Sequence, residues 1–157
     1  MFFDEPVPVL LKVLDRAQAR AEWLERAINA VRDCDLVFLD PDNGLARDDL
    51  SPAWKRAGKS VRLEELRRLI RPDRTLVAYH HQTRMAGGHL HELDVWAERL
   101  GERLACTVDA LRFRPYSPRA FFLINADEEL RGRAAQMAEH WGESGLTWHP
   151  DLFQAPH

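Results

Sequence analysis

The chain has 157 residues, 45% hydrophobic and 30% charged, which is enough for one compact domain with a core but not for two. Its formal net charge of -3 excludes the global basic excess of many nucleic-acid binders, so any polyanion contact must be a local patch. Two cysteines without zinc or disulfide spacing, and apolar runs of only about five residues, predict a cytoplasmic protein with no membrane partner.

The first half of the chain predicts a long helix followed by a buried strand. Apolar residues recur every three or four positions from Val9 to Val31, which indicates an amphipathic helix over 9–32. The run DLVFL at 35–39 lacks alternation, which is typical of a strand covered on both faces. Turn-forming residues fill 40–59, so we expect a long loop there, followed by a helix over 61–70.

The second half predicts a strand at 75–79, a helix marked by apolar positions between Leu90 and Leu104, and strands at 106–113 and 120–125. The segment RPYSPR between the last two strands is too short for a crossover, so we expect an antiparallel pair. A helix over 127–143 and an irregular tail complete the chain, and the helix is expected to turn inward Leu130, Ala134, Met137, Ala138 and Trp141. We interpret 1–157 as a single domain, with its core at 35–125 and a C-terminal helix and tail at 127–157.

This order of elements predicts an α/β fold. The expected architecture is a Rossmann-like three-layer sandwich with a mostly parallel sheet of about four strands, closed by an antiparallel C-terminal edge pair. In such sheets ligands bind beyond the carboxyl ends of the strands. Two polar clusters follow strands at that place, DPDNG at 40–44 and YHHQTR at 79–84.

The first cluster contains Asp40, Pro41, Asp42 and Asn43. Proline fixes the exit of the chain from the strand, and Asn43-Gly44 permits a tight turn, so two carboxylates and an amide can point into one crevice. The alternative interpretation is a capped strand-to-loop turn, because Asp, Pro, Asn and Gly are the commonest turn residues.

The second cluster places His80 and His81 at the end of the second buried strand. Together with Asp40 and Asp42 they form a candidate site for a divalent metal, which would activate water in a hydrolase or nuclease. Neutral, hydrogen-bonded histidines or histidines that contact substrate are the alternative, because the spacing gives a metal site little support.

Two groups of basic residues are local candidates for contacts with nucleic acid. Lys55, Arg56 and Lys59 lie in the loop, and a second group around the RPYSPR turn consists of Arg112, Arg114, Tyr116 and Arg119. The alternatives are a solvated loop and positive charge that protects an exposed sheet edge.

The strand ending in Asp-Pro, the following helix, the second buried strand, the next helix and the antiparallel pair resemble the C-terminal half of class I S-adenosylmethionine-dependent methyltransferases. DLVFLDPDNGL is similar to the motif of their amino-methylating members, such as the ribosomal RNA adenine N6 methyltransferases, where Asp-Pro-Pro precedes an aromatic residue. DLVFLDPDNGL, TLVAYHHQTR and RAFFLI also resemble a family of bacterial hypothetical proteins over residues 20–125.

The methyltransferase resemblance implies roles for the two polar clusters. Asp40 and Pro41 would orient the amino group of a flipped base, with Asn43 and His80 positioning it. Asp42 stands in place of the second proline and Asn43 in place of the aromatic residue, so Tyr79 or His80 would supply the stacking ring. His81 would contact the substrate and Arg84 a phosphate.

The same resemblance implies S-adenosylmethionine as cofactor, for which we assign no binding residues. The cofactor site of that fold needs a glycine-rich turn and an acidic residue ahead of the Asp-Pro strand, yet no glycine precedes Asp35. We therefore expect a sheet truncated at its N-terminal side, whose free edge pairs with another copy in a homodimer. A non-catalytic dimeric binding module is a further alternative.

Overall fold

The computed structural model describes residues 2–9, 12–47 and 49–155, which form a mixed α/β protein. The helices of this part are α1 (Val13–Ala30), α2 (Leu63–Leu69), α3 (Gly88–Leu104) and α4 (Glu128–Trp141). Its strands are β1 (Leu36–Leu39), β2 (Gly44–Leu45), β3 (Ser60–Val61), β4 (Thr75–His81), β5 (Val108–Phe113), β6 (Arg119–Ile124) and β7 (Leu146–Phe153). The predicted α/β class is confirmed.

Five strands form the main sheet in the order β1-β4-β6-β5-β7, and β2 and β3 form a separate parallel pair. β1 pairs in parallel with β4, from Leu36 opposite Thr75 to Leu39 opposite Ala78. β6 runs antiparallel between β4 and β5, and β7 runs antiparallel beside β5. The strands β1, β4 and β5 therefore run in one direction. Their carboxyl ends share one edge, which we call the carboxyl edge.

The observed sheet differs from the predicted one in strand number and direction. We expected about four mostly parallel strands, but the described sheet has five and only its β1–β4 pairing is parallel. The predicted antiparallel pair is present, yet β6 lies inside the sheet and the edge is β7, where we expected an irregular tail. The strand β7 is not recognisable in the sequence, because Pro150 and Asp151 interrupt its pattern. Proline is tolerated in an edge strand, and Asp151 has a positive φ of 52°.

The hydrophobic core lies between one face of the sheet and the helices α2 and α3. The strands contribute the buried side chains Val37, Leu76, Ala78, Val108, Ala110, Ala120, Phe122 and Ile124, and α2 and α3 contribute Leu63, Leu66, Leu69, Leu93, Trp96, Ala97, Leu100 and Leu104. The apolar residues of α3 recur at the predicted three- and four-residue spacing and form one stripe against the sheet. We call this side of the sheet the packed face.

The helix α4 lies on the opposite side of the sheet. Asp109 is the residue between Val108 and Ala110, so it points away from the packed face, and its carboxylate lies 3.1 Å from Arg131 of α4. The N-terminus of α4 is capped by Asp127, which accepts a hydrogen bond from the Leu130 amide at 2.8 Å. Helices therefore lie on both sides of the sheet.

Fewer residues of α4 are buried against the sheet than its sequence predicts. Ala134 and Ala138 are buried, but Met137 and Trp141, which we expected to point inward, are 50% and 53% exposed. The part of the same face over β1, β4 and β6 retains exposed or half-buried apolar side chains. We call it the open face, formed by Leu36, Phe38, Val77, Tyr79 and Phe121.

An arginine attaches α1 to the rest of the fold. Arg20 is buried, and its guanidinium donates to both carboxylate oxygens of Glu65, at 2.5 and 2.8 Å, and to two backbone carbonyls. The apolar stripe predicted for this helix is only partly buried, since Leu24 is 6% exposed but Leu14 is 93% exposed. Residues 10 and 11, which the helix prediction includes, lie outside the described residues.

Candidate functional site

The acidic turn at 40–44 follows β1 directly at the carboxyl edge. The carbonyl of Pro41 accepts a hydrogen bond from the Gly44 amide at 3.1 Å, and the Asn43 amide donates to the carbonyl of Lys59 at 2.7 Å. Lys59 Nζ also lies 3.7 Å from an Asp42 carboxylate oxygen. Pro41 is half-buried, whereas the exposed members of the turn are Asp40, Asp42 and Asn43. The backbone of the turn is anchored, and its two carboxylates and amide face solvent.

The strand β2 brings this turn into contact with the end of β4. Gly44 has a φ of +86°, and a Cβ atom there would lie 2.5 Å from His80 Cα and 2.7 Å from His80 Nδ1. A residue with a side chain does not fit at this position without displacing β4. The next amide, that of Leu45, donates a hydrogen bond to His80 Nδ1 at 3.1 Å. The two polar clusters found in the sequence therefore meet at one edge of the sheet.

His80 belongs to a buried hydrogen-bond network on the packed face. Its side chain is 2% exposed, and its Nε2 lies 3.3 Å from a carboxylate oxygen of Glu92, which is fully buried on α3. Glu92 also accepts hydrogen bonds from the amide of Thr83, at 2.8 and 3.0 Å, and from its hydroxyl at 2.7 Å. Since Nδ1 accepts from Leu45, the proton of the neutral ring is on Nε2 and is donated to Glu92.

Burial lowers the pKa of His80, and the neighbouring charge of His81 lowers it further, while the hydrogen bond and charge of Glu92 oppose this shift. The lowered pKa agrees with the hydrogen bond from Leu45, because a protonated Nδ1 would lose its acceptor role. Both ring nitrogens are occupied, so the geometry suits a positioning residue. The catalytic role that we predicted for His80 stays a prediction.

Tyr79 and His81 lie on the other side of β4, at the open face. The hydroxyl of Tyr79 lies 3.3 Å from His81 Nδ1, and the hydroxyl of Ser117, from the β5–β6 connection, lies 3.4 Å from His81 Nε2. The ring of Phe121 packs 5.7 Å from that of Tyr79 and 6.3 Å from that of Phe38, measured between centroids. Three aromatic rings from three adjacent strands thus form a continuous row.

The structure brings most, but not all, of the predicted site residues together. The residues at the carboxyl edge with solvent access are Asp40, Asp42, Asn43, Tyr79 and His81. His80 is buried and contacts the end of the turn through its hydrogen bond with Leu45. Arg84 is exposed in the loop between β4 and α3. The predicted shared edge is therefore observed, while the chemical roles of these residues remain predictions.

A metal site is not assembled from the predicted ligands. The strand β4 continues through His80 and His81, so their side chains point to opposite faces of the sheet. Within residues 2–9, 12–47 and 49–155, no three His, Cys, Asp or Glu side chains lie together as metal ligands. The metal-dependent hydrolase remains an alternative without an assembled ligand set among these residues.

Sequence reasoning missed Glu92 and the burial of Gln82, which the fold places near this edge. The burial of Glu92 was not predicted, because a glutamate on an amphipathic helix is normally exposed to solvent. The one signal for it in the sequence is its position four residues before Trp96, on the apolar stripe of α3. Gln82 is 4% exposed; it donates to the carbonyl of His89 at 2.7 Å and accepts from Arg112 Nε at 2.9 Å. Arg112, which we placed at a hairpin tip, is 8% exposed on β5.

Comparisons of this chain with protein-family models, with curated proteins and with solved structures give no match. None of the helices in the described part of the chain combines the length and the apolar character needed to span a bilayer.

Proposed function

We propose that this chain is a methyltransferase-like protein whose carboxyl edge binds amino-bearing bases of nucleic acid. Asp40 accepts a hydrogen bond from the exocyclic amino group of the base, and the ring of Tyr79 stacks on it. Pro41, Asp42 and Asn43 shape the turn that presents Asp40, and His80 holds that turn on β4. His81 and Arg84 contact the sugar-phosphate backbone.

The observation that carries this proposal is the register of β1 on β4. Leu39 lies opposite Ala78, so the next residues along the two parallel strands are Asp40 and Tyr79. Neighbouring strands are about 4.8 Å apart. Asp40, which is exposed, leaves β1 at the level of the partly buried Tyr79 of β4, and this placement supports a site that pairs an acceptor with a stacking ring for a base with an exocyclic amino group.

The Rossmann-like, methyltransferase-related part of the proposal is supported by the arrangement of elements. The strand β1, which the Asp-Pro pair follows, precedes α2, β4, α3 and the antiparallel strands β5 and β6. The resemblance to the C-terminal half of the methyltransferase fold rests on these same elements. The acidic turn also lies at the carboxyl edge, where ligands of α/β sheets bind.

S-adenosylmethionine does not fit the described residues of this chain alone. In the methyltransferase fold the cofactor contacts a glycine-rich turn and an acidic residue ahead of the Asp-Pro strand, whereas here the helix α1 precedes β1 and the first glycine is Gly44. We therefore derive no methyl-transfer step from this chain. The proposal is that cofactor binding, which calorimetry measures, requires a further polypeptide beside β1.

Binding of labelled single-stranded oligonucleotides of about 12 nucleotides, followed by fluorescence anisotropy at low salt, tests the base-binding proposal. We expect oligomers of adenine or cytosine, which carry an exocyclic amino group, to bind about 5-fold more tightly than oligomers of thymine, which lacks one. Asp40→Ala should remove this preference. Tyr79→Leu should weaken binding to all three, and Tyr79→Phe should retain it.

Asp35→Ala is the matched control, because Asp35 is an equally exposed carboxylate at the other end of β1 and its loss changes the net charge by the same amount. Asp35→Ala should leave the base preference intact. Equal behaviour of the two aspartate variants, or equal affinity of the wild-type protein for all three oligomers, would contradict the assignment of Asp40.

The homodimer expected from a free sheet edge stays a prediction. β1 is the terminal strand of the described sheet, and its residues Leu36 and Phe38 are 44% and 51% exposed. An unpaired strand edge with apolar side chains is a surface for pairing with a second copy. Sedimentation velocity measures this association directly.

A further inference from the structure

Arg112 is a buried cation without an anionic partner among the described residues. It is 8% exposed, and among the described residues its guanidinium makes one hydrogen bond, from Nε to Gln82 Oε1 at 2.9 Å. A guanidinium has five N–H donors, so the four on its two Nη nitrogens have no partner here. The two Nη nitrogens are not fully enclosed by protein, so both retain access to solvent.

The other buried arginines show how this fold normally satisfies such a charge. Arg20 pairs with the carboxylate of Glu65 and with two carbonyls. Arg74 is 2% exposed and donates to four backbone carbonyls, those of Val31, Arg32, Cys34 and Leu69. Burial of a charge is costly unless it is paired or fully hydrogen-bonded. Arg112 alone among these three has neither a carboxylate nor a set of carbonyls.

Arg114 adds positive potential near Arg112. Burial lowers the pKa of Arg112, and the charge of Arg114, at the end of the same strand, lowers it further. The pKa of His149 on β7 is lowered by burial and then by the charge of Arg112. Asp94 of α3 acts on His149 in the opposite direction, but it forms no ion pair with Arg112. The local balance of charge therefore favours an anion.

The position of Arg112 in the sheet connects it to the start of α3. Ala120 of β6 lies opposite Arg112 on one side and opposite His80 on the other, so the arginine side chain crosses the small Ala120 to reach Gln82. Gln82 in turn donates to the carbonyl of His89 in the first turn of α3. That helix begins without a side-chain cap, and its N-terminus carries partial positive charge.

We propose that Arg112 is the anchor of a phosphate-binding site at the carboxyl edge, together with Gln82 and the start of α3. A phosphate offers more acceptor oxygens than a carboxylate, and a guanidinium binds two of them with parallel Nη hydrogen bonds. The site is three strand spacings, about 14 Å, from β1. This phosphate site does not depend on the base contacts assigned to Asp40, because its evidence is the largely buried Arg112, whose Nη groups have no protein partner among the described residues.

The test measures the thermal stability of the full chain in inorganic phosphate or pyrophosphate against sodium chloride of equal ionic strength. We expect phosphate at about ten times its dissociation constant to raise Tm by about 3 °C. Arg112→Met should abolish this shift, while Arg133→Met, which removes an exposed arginine from α4, should preserve it. Replacing a buried charge with an apolar side chain is often neutral for folding, so the variant is expected to fold.

A second measurement reads Arg112 directly in the wild-type protein and does not depend on a variant. Phenylglyoxal modifies arginine side chains, and mass spectrometry locates the modified residues. Phosphate should slow modification of Arg112 and leave that of Arg133 unchanged. A phosphate shift of equal size in Arg112→Met, or the absence of both stabilisation and protection in the wild-type protein, would overturn the proposal.

Oligonucleotides with and without a 5′-phosphate distinguish the two sources of the phosphate group. Protection of Arg112 by both supports a site for the nucleic-acid backbone, and protection only by the phosphorylated one supports a site for a terminal or free phosphate. None of these readouts involves base preference. A failure of the phosphate proposal therefore leaves the base-binding proposal for Asp40 unaffected, and the reverse also holds.

Discussion

The two faces of β4 differ in how far their side chains are fixed. On the packed face His80 is 2% exposed, and both its ring nitrogens contact other elements, Leu45 of β2 and Glu92 of α3. On the open face Tyr79 and His81 have solvent access and contact mainly each other, Ser117 and Phe121. Two adjacent histidines therefore have different surroundings, because the alternation of side chains along a strand buries His80 on the packed face and leaves His81 exposed on the open face.

The largest expected effect separates these two histidines by their contribution to stability. His80→Ala leaves the Leu45 amide without its acceptor, removes one of the hydrogen-bond partners of Glu92 and opens a cavity next to the ring of Trp96, so we expect a loss of about 3 kcal/mol in the free energy of unfolding. His81→Ala removes an exposed ring and should cost less than about 0.5 kcal/mol. Urea unfolding followed by circular dichroism measures both.

A His80→Ala variant as stable as His81→Ala would contradict a structural role for the buried network. In that case the pairing with Glu92 would have to serve chemistry instead of folding. Glu98→Ala, which removes an exposed glutamate from the same helix as Glu92, is the control for a general effect of changing α3.

Two glycines with similar positive φ angles test how closely β2 approaches β4 at the end of the acidic turn. Gly44 and Gly88 have φ values of +86° and +82°, but only at Gly44 would a Cβ atom collide with other residues. Alanine at Gly88 should cost about 1 kcal/mol, the strain of a left-handed conformation. Alanine at Gly44 adds the clash with His80 and should cost about 2 kcal/mol more.

The difference between the two variants isolates the close approach of β2 to β4, because the conformational strain is common to both. Urea unfolding of both proteins gives this difference. Equal losses of stability would show that β2 moves away from His80 without cost, and the contact that places the acidic turn would then be weak.

Local patterns in the sequence predict much of the fold. The apolar spacing of α3 and the apolar runs at 36–39 and 75–79 match a helix and two strands of the structure, because hydrophobic periodicity depends on which side of an element is buried. The prediction that the first of these strands is covered on both faces is wrong, because β1 is the terminal strand of the described sheet and its Leu36 and Phe38 are exposed. The strand β7 was missed because Pro150 and Asp151 interrupt its pattern and its pairing with β5 is distant in sequence. The order of the strands depends on such distant pairing, which local periodicity does not encode.

The candidate site was predictable where polar residues follow buried strands and not where they lie inside elements. The residues of the acidic turn and of the end of β4 were found from their position after apolar runs. Gln82 and Arg112 lie in polar groups that the sequence analysis found, but their burial follows only from how β5, β6 and α3 pack. A buried arginine and an exposed arginine look alike in a sequence.

The smallest expected effect is the pH dependence that the packed face gives to stability. In the unfolded chain His80 has its ordinary pKa of about 6.5, whereas burial lowers its pKa in the folded protein. As pH falls below about 6.5, the unfolded chain binds a proton that the folded protein does not, so stability falls with a slope of up to about 1.4 kcal/mol per pH unit. His149 has the same sign, because burial also lowers its pKa.

Urea unfolding at several values between about pH 7.5 and 5.5 measures this slope, and a His149→Gln variant should retain the share that belongs to His80. Nitrogen-15 NMR of the histidine rings supplies the residue-specific check, since His80 in the folded protein should keep an unprotonated Nδ1 near pH 6. Stability that stays constant or rises as pH falls would mean that His80 is charged in the folded state. The hydrogen bond from Leu45 to Nδ1, which holds the acidic turn on β4, would then be absent.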